Sequence, residues 1–257
     1  MITLSLTDSA FVGTLTPYTV ITGSATTLLT NLVAYYQFEE PSSSRYDSSV
    51  NGLTLTDVSN NLGRNAAGLL GYCGDAYGIT CALRHSNSSS FTLGVGQSFT
   101  WQLWVNAQDT SFTSYQAFVS KETAYDGPHG EYGITYDNAN HARLLVGNGT
   151  ASATVVFSGK ALNDSNWHHI VAWYDNTLKT ANITVDNATP VSASWTGSTY
   201  SNNASMSIFN VASSTSYPFT RQLDEIGFWK RTLTSTERTY LYNSRTGSAF
   251  STFATTA

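Results

Sequence analysis

Hydrophobic and polar residues alternate along this chain in short bursts, and almost nowhere with the three-to-four spacing of a helix. The clearest burst is Phe99-Thr100-Trp101-Gln102-Leu103-Trp104-Val105. Phe99, Trp101, Leu103 and Val105 fall on one face of an extended chain, the period-two pattern of a half-buried strand. Comparable β-rich runs are expected at Leu32 to Phe38, Tyr115 to Lys121, Glu131 to Tyr136, Ala142 to Gly147, Ala153 to Phe157, Trp167 to Asp175 and Ala181 to Asp186. Gly, Asn and Asp separate them, as tight turns require. One short helix is expected near the end, where Thr234-Ser235-Thr236-Glu237 has the form of a capping box and Leu241 follows four residues after Glu237.

Residues 1–30 are different in texture: short apolar pieces mixed with Thr, Ser and Gly, punctuated by Pro17 and Gly23. They read as an extended N-terminal arm with one or two short strands. Residues 31–257 read as one domain, since no internal repeat or low-complexity linker divides them.

Composition sharpens the class. Of 257 residues, 41% are hydrophobic and 13% aromatic, with six Trp, enough to fill one large core. Charged residues are only 11%, and Ser, Thr and Asn together make up about a third of the chain. A polar but mostly uncharged surface suits strands and turns better than helices, whose exposed faces carry Glu, Lys and Arg. The fold class is therefore all-β.

The net charge of -5 is diffuse, and the longest basic cluster is Lys230-Arg231, so nothing neutralises a row of phosphates; nucleic acid is excluded as a partner. No stretch approaches the roughly 20 apolar residues of a membrane helix, so insertion into a membrane is not expected. Met1 to Phe11 lacks the basic start and apolar run of a secretory signal. Cys73 and Cys81 are the only cysteines; eight positions apart, they suit either a bridge across a tight loop or two buried thiols.

Four motifs, in order, resemble the laminin-G-like jelly-roll domains of the concanavalin A-like lectin and glucanase superfamily. Leu32-Val33-Ala34-Tyr35-Tyr36-Gln37-Phe38-Glu39-Glu40 with Asp47-Ser48-Ser49-Val50-Asn51-Gly52-Leu53 resembles their opening strand, acidic turn and D-x-S-x-N-G loop. Ser98-Phe99-Thr100-Trp101-Gln102-Leu103-Trp104-Val105, followed by Phe118-Val119-Ser120-Lys121, is similar to a second strand pair. Trp167-His168-His169-Ile170-Val171-Ala172-Trp173-Tyr174-Asp175 resembles a third, with Ile183-Thr184-Val185-Asp186-Asn187 after it. Gln222-Leu223-Asp224-Glu225-Ile226-Gly227-Phe228-Trp229-Lys230-Arg231 resembles the closing motif. The departures are Gln222, Lys230, and Asn187 where Gly is usual. The resemblance implies a two-sheet antiparallel sandwich with one short C-terminal helix.

It also implies one structural Ca²⁺ between the acidic turn and the closing motif, carried over to Glu39, Asp47, Asn51 and Asp224. Hard cations take oxygens from such loops. The alternative is that Asp47 and Asn51 only form turns and that Asp224 is a hydrogen-bonded strand residue. Glucanase relatives carry an E-x-D-x-x-E strand, in which one carboxylate attacks while another protonates the leaving oxygen. This chain has no such triplet. Its nearest acidic pair, Asp224-Glu225, is expected to point to opposite faces of a strand. The same argument separates His168 from His169, which read as structural strand histidines.

A sugar platform needs exposed aromatic rings. Trp195 and Tyr200, in the polar stretch Ser192 to Asn203, and Tyr125, near His129, are the candidates, with core or rim packing as the alternative. Together these readings describe a non-catalytic binding or structural module. It is placed on a virion surface, most plausibly that of a bacteriophage, with the arm docked on other virion or surface proteins by adding a strand such as Tyr18-Thr19-Val20-Ile21 to a partner's sheet. The alternatives are a free secreted or cell-surface lectin that binds glycan, and a glycoside hydrolase on the same scaffold. Homo-oligomerisation is left open.

Overall fold

The computed structural model describes residues 26–40, 44–58, 62–78, 80–108, 110, 112, 114–123, 128–212 and 217–254. Two antiparallel sheets stack face to face. The first half contributes β1 (Leu32–Tyr36), β2 (Thr56–Asp57), β3 (Leu62–Ala67), β4 (Tyr72–Ala76), β5 (Leu83–His85), β6 (Phe99–Asn106), β7 (Gln116–Glu122) and β8 (Gly130–Tyr136). The second contributes β9 (Ala142–Gly147), β10 (Ser152–Phe157), β11 (His168–Asp175), β12 (Thr180–Val185), β13 (Val191–Ser194), β14 (Met206–Ile208) and β15 (Gln222–Trp229). Helices α1 (Ser235–Tyr242) and α2 (Phe250–Ala254) follow.

The eight-stranded sheet runs β13-β12-β11-β6-β15-β4-β3, with β1 also on β15; the seven-stranded sheet runs β10-β9-β8-β7-β14-β5-β2. A β-bulge lets β15 serve both neighbours on one side. Its first residues, Gln222 and Leu223, pair with β4, whereas Ile226 to Trp229 pair with β1. The register against β6 slips between Asp224 and Gly227, where Glu225 takes a φ of 47°.

The expected inner face of β6 is confirmed: Phe99, Trp101, Leu103 and Val105 are fully buried in the core between the sheets. The ring of Trp101 stacks on Phe228 of β15, centroids 4.3 Å apart. The strand is not half-buried, however. Thr100, Gln102 and Trp104, on its other face, are buried as well. A second apolar cluster covers that face: Leu28, Leu32, Tyr35, Trp229, Leu233, Leu241, Phe250 and Phe253. Alternation predicts solvent on the back of β6 only when nothing packs there.

Leu28 belongs to the expected arm. Residues 1–25, including the proposed docking strand Tyr18-Thr19-Val20-Ile21, lie outside the described residues. Thr26–Leu29 form a 3₁₀ turn that packs on the chain's own sandwich. The Trp229 Nε1–H donates to Leu28 O at 2.7 Å, and Arg231 donates to Thr27 O and Thr30 O at 2.7 and 2.8 Å. The last residues of the expected arm, Thr27 to Thr30, thus bond to the sandwich.

Helix α1 starts as expected. Thr234 Oγ1 accepts from Glu237 N at 3.2 Å and the Glu237 carboxylate accepts from Thr234 N at 2.8 Å. The same carboxylate receives both terminal nitrogens of Arg231, at 2.7 and 2.9 Å. Although burial opposes it, these bonds hold the Glu237 carboxyl down at about 2. Helix α2 was not expected; its five residues leave too little periodicity to read. Both cysteines are buried and not joined; Cys73 keeps a free thiol that lies 3.6 Å from Ala67 O.

Candidate functional site

The four residues proposed for calcium separate into two groups. Asp47 sits in the turn against β1, where its oxygens accept from the backbone N–H of Tyr35, Ser49 and Leu53 at 2.9, 2.9 and 3.0 Å. Asn51 turns its amide nitrogen to Leu32 O and Val33 O, at 3.2 and 2.9 Å. Glu39 and Asp224 meet instead at the β3–β4 hairpin. Asp224 accepts from Leu69 N and Leu70 N at 2.9 and 3.1 Å, and Glu39 accepts from Tyr72 N at 3.0 Å. Gly71, with φ 66°, lets the Glu39 carboxylate close in, since a Cβ there would lie 2.2 Å from Oε1. In the folded chain Asp47, Glu39 and Asp224 each accept at least one backbone N–H. Among the described residues no cluster of three or more His, Cys, Asp or Glu side chains is arranged to hold a metal.

The Asp224-Glu225 pair departs from the sequence expectation. Leu223 and Ile226 both face the core, so the bulge puts the two residues between them on the outer side together. Both carboxyls are sealed under the covering cluster, Asp224 at 0% and Glu225 at 2% exposure. Burial raises the Glu225 carboxyl to about 8, and the Tyr35 hydroxyl beside it opposes that shift. Burial and then the Glu225 charge raise Asp224 in turn, against three backbone N–H donors. Gln102 links this pair to His169: its Nε2 donates to Glu225 O and to Tyr35 Oη, and its Oε1 lies 2.8 Å from His169 Nε2. Burial pushes His169 down to about 3, leaving it neutral at ordinary pH. Its ring stacks on Trp104, 4.9 Å between centroids.

His168 points the other way, as alternation requires. Its ring nitrogens lie 2.8 Å from Asp186 and 2.7 Å from Asp164, tying the β12–β13 turn to the loop before β11. These are structural contacts. The aromatic candidates also resolve differently from the expectation. Trp195 is 8% exposed and belongs to the core, with its indole so close to Gly197 that a Cβ there would lie 2.3 Å from Cζ2. It is no platform. Tyr200 is half-buried, with one ring edge against Gly149. Tyr125 lies outside the described residues.

Two polar openings remain to be compared. One, of about 350 Å³, is lined by Asn31, Leu32, Val33, Asn51, Ser89, Ser90 and Lys230. Its reaching groups are already engaged: Asn51 on β1, and Lys230 Nζ on Ser89 O at 2.7 Å. The other, of about 410 Å³, runs along the edge of the seven-stranded sheet between Thr54, Thr56, Val58, Arg84, His85, Ser86 and Ser205. Strand register builds its floor. Thr56 pairs with Arg84, Arg84 with Ser207 and Ser207 with Ser120, all on the face opposite Leu83, Ile208 and Val119 of the core.

This floor is under-satisfied. Among the described residues, the single hydrogen bond of Arg84 runs from Nη2 to Val211 O at 3.4 Å; its Nε–H has no partner there, and neither does Ser207 Oγ. Asn210, beyond the end of β14, has an unpartnered buried Nδ2. Buried polar groups are normally hydrogen-bonded, and each exception calls for an explanation. Sequence reading missed this groove. β2, β5 and β14 are two or three residues long, too short for a period-two signal, and only pairing brings Arg84, Ser207 and Thr56 into line.

The geometry agrees with comparisons to known proteins. No curated protein sequence matches this chain. Among solved structures, the binding domain of Paraclostridial mosquitocidal protein 1 superposes with a TM-score of 0.65 at 16% identity, covering 85% of this chain and 53% of that one. This chain therefore spans about half the length of that domain. Domain 4 of AbnA, a GH43 extracellular arabinanase from Geobacillus stearothermophilus solved with arabinotriose, gives 0.60 at 16% identity, over 85% of this chain and 98% of that one. Trypanosoma rangeli sialidase in complex with sialic acid gives 0.62 at 15% identity, over 85% and 34%. These likenesses establish the fold. A laminin-G family model covers residues 82–237, from β5 to the capping box of α1, and with the two-sheet architecture this makes the chain a member of the concanavalin A-like lectin/glucanases superfamily.

Proposed function

We propose that this chain is a non-catalytic carbohydrate-binding module, and that its ligand lies in the groove over β2, β5 and β14. The observation that carries this reading is the groove itself: an open, polar trough lined by Arg84, whose Nε–H the protein leaves unpaired. Hydroxyl-rich ligands supply acceptors for such donors, and unpaired buried polar groups are what a specific ligand rewards. Membership of a lectin and glucanase superfamily supports it, as does the likeness to an arabinanase domain solved with arabinotriose.

The non-catalytic part rests on where the acids are. The close carboxyl pair, Asp224 and Glu225, is buried beneath Tyr35 and the covering helices, away from substrate. Glycoside hydrolysis needs two carboxyls flanking a bound sugar.

The test is a glycan array probed with the full chain, alongside Ser205→Trp, which fills the groove from its rim. Binding to a defined set of glycans, lost in Ser205→Trp with an unchanged melting temperature, is the expected result. Release of reducing ends from any bound polysaccharide, abolished by Glu225→Gln, would show an enzyme instead.

A further inference from the structure

Resting on that reading of the groove, we infer that its ligand is an acidic saccharide, one whose carboxylate or sulfate is held by Arg84. Four observations converge on charge as the recognition element.

First, Arg84 is a half-buried guanidinium with no acidic partner among the described residues. Its one hydrogen bond among those residues is the long one to Val211 O. Asp57, adjacent to Thr56 in β2, pairs with core-facing Leu83 and so belongs to the other face of the sheet. Glu122 of β7 lies over Gly130 and Gly133 of β8, on the side of β7 away from β14.

Second, the lining residue with an unpaired polar atom, Arg84 through its Nε–H, is a donor, and the Ser207 hydroxyl next to it in register is buried and unpaired beneath the groove. Guanidinium groups match the planar oxygens of carboxylate and sulfate with paired N–H···O bonds. Third, the residues that line the groove include no Trp, Tyr or Phe. A neutral sugar that binds by laying its apolar face on a large aromatic ring finds only the small imidazole of His85 here, so affinity must come mainly from charge and hydrogen bonds. Fourth, giving up a 3.4 Å bond to one carbonyl is a small cost for reorienting Arg84 toward a ligand.

The experiment is calorimetric titration of the full chain with trigalacturonate, its methyl ester, and a sulfated trisaccharide, repeated with Arg84→Gln, Arg84→Lys and Ser205→Trp. Melting temperatures confirm that each variant folds. The expected result is that an acidic ligand binds, that the methyl ester binds roughly tenfold or more weakly, and that Arg84→Gln brings the acid down to the level of the ester. Arg84→Lys keeps the charge but loses the paired donors and falls between. Whether trigalacturonate or the sulfated sugar binds more tightly tells which anion Arg84 holds. If the ester binds as tightly as the acid, Arg84→Gln changes nothing and Ser205→Trp abolishes both, the groove binds sugar but the inference about charge is wrong. If neither acidic ligand binds, the inference is overturned. If, in addition, no glycan on the array responds to Ser205→Trp, the proposed module falls with it.

Discussion

The two sheets of this sandwich share an inner core and differ in what happens on their backs. Behind the eight-stranded sheet, the 3₁₀ turn and helices α1 and α2 seal β1, β6 and β15 under Leu28, Trp229, Leu241, Phe250 and Phe253. Beneath that cover the chain buries Gln102, His169, Asp224 and Glu225, most of whose polar atoms find partners in one another or in backbone. Behind the seven-stranded sheet, no helix among the described residues covers the edge formed by β2, β5 and β14. This edge leaves Arg84 and Ser207 under-satisfied beside an open trough. The same two-layer architecture thus covers one back with apolar segments and, among the described residues, leaves an edge of the other open. A closed polar cluster shifts stability with pH; an open one changes binding and leaves folding nearly untouched.

The largest expected effect tests the closed side. Glu225 has its folded carboxyl raised to about 8 from an ordinary 4.5. Between those values the folded chain holds a proton that the unfolded chain has released, so stability falls as pH rises through this window. The sum reaches the order of 5 kcal/mol for a group this buried. Denaturant melts from pH 4.5 to 8 should show the decline in the native chain and a much flatter profile in Glu225→Gln. Parallel profiles would mean that Glu225 is not the buried acid of this face.

Next in size is the cover itself. Trp229→Ala removes a fully buried indole and its bond to Leu28 O, and should cost about 3–5 kcal/mol in a urea melt. A loss under about 1 kcal/mol would show that the back of β15 is not sealed as described. Smaller again is the clamp on α1. Glu237, held at about 2, contributes stability present above its ordinary 4.5 and lost as pH falls toward 2. Glu237→Gln should therefore destabilise by about 1–2 kcal/mol at neutral pH and merge with the native chain at acid pH.

On the open side the expectation is reversed. Ser207→Ala deletes a buried hydroxyl that has no partner, so stability should be unchanged or rise by up to about 1 kcal/mol. A clear loss would mean that this floor is part of the sealed structure. The smallest effect is expected from calcium: Asp47, Glu39 and Asp224 already accept backbone N–H bonds, so chelator should leave the melting temperature where it was. A drop on chelation, restored by calcium, would show that these loops rearrange around the ion.

Much of this was legible in the residues. The alternation of Phe99, Trp101, Leu103 and Val105 determined a strand and its core face, because side chains on an extended backbone alternate whatever their neighbours do. Thr234 and Glu237 determined the start of α1, because both partners of a capping box lie within one helical turn. Low charge and abundant Thr, Val and Tyr determined the all-β class. What the sequence could not decide was anything that depends on which surface meets which. Whether Gln102 and Trp104 face water or a helix, whether Trp195 is a platform or core, and whether Asp224 and Glu225 diverge or sit side by side turn on a bulge in β15 and on the docking of segments some 200 residues apart, as in Leu28 and Trp229. The groove is the extreme case. Its polar row, Thr56, Arg84, Ser207 and Ser120, comes from four separate strands, and only their hydrogen-bonded register puts the guanidinium with its unpaired Nε–H beside an unpaired hydroxyl.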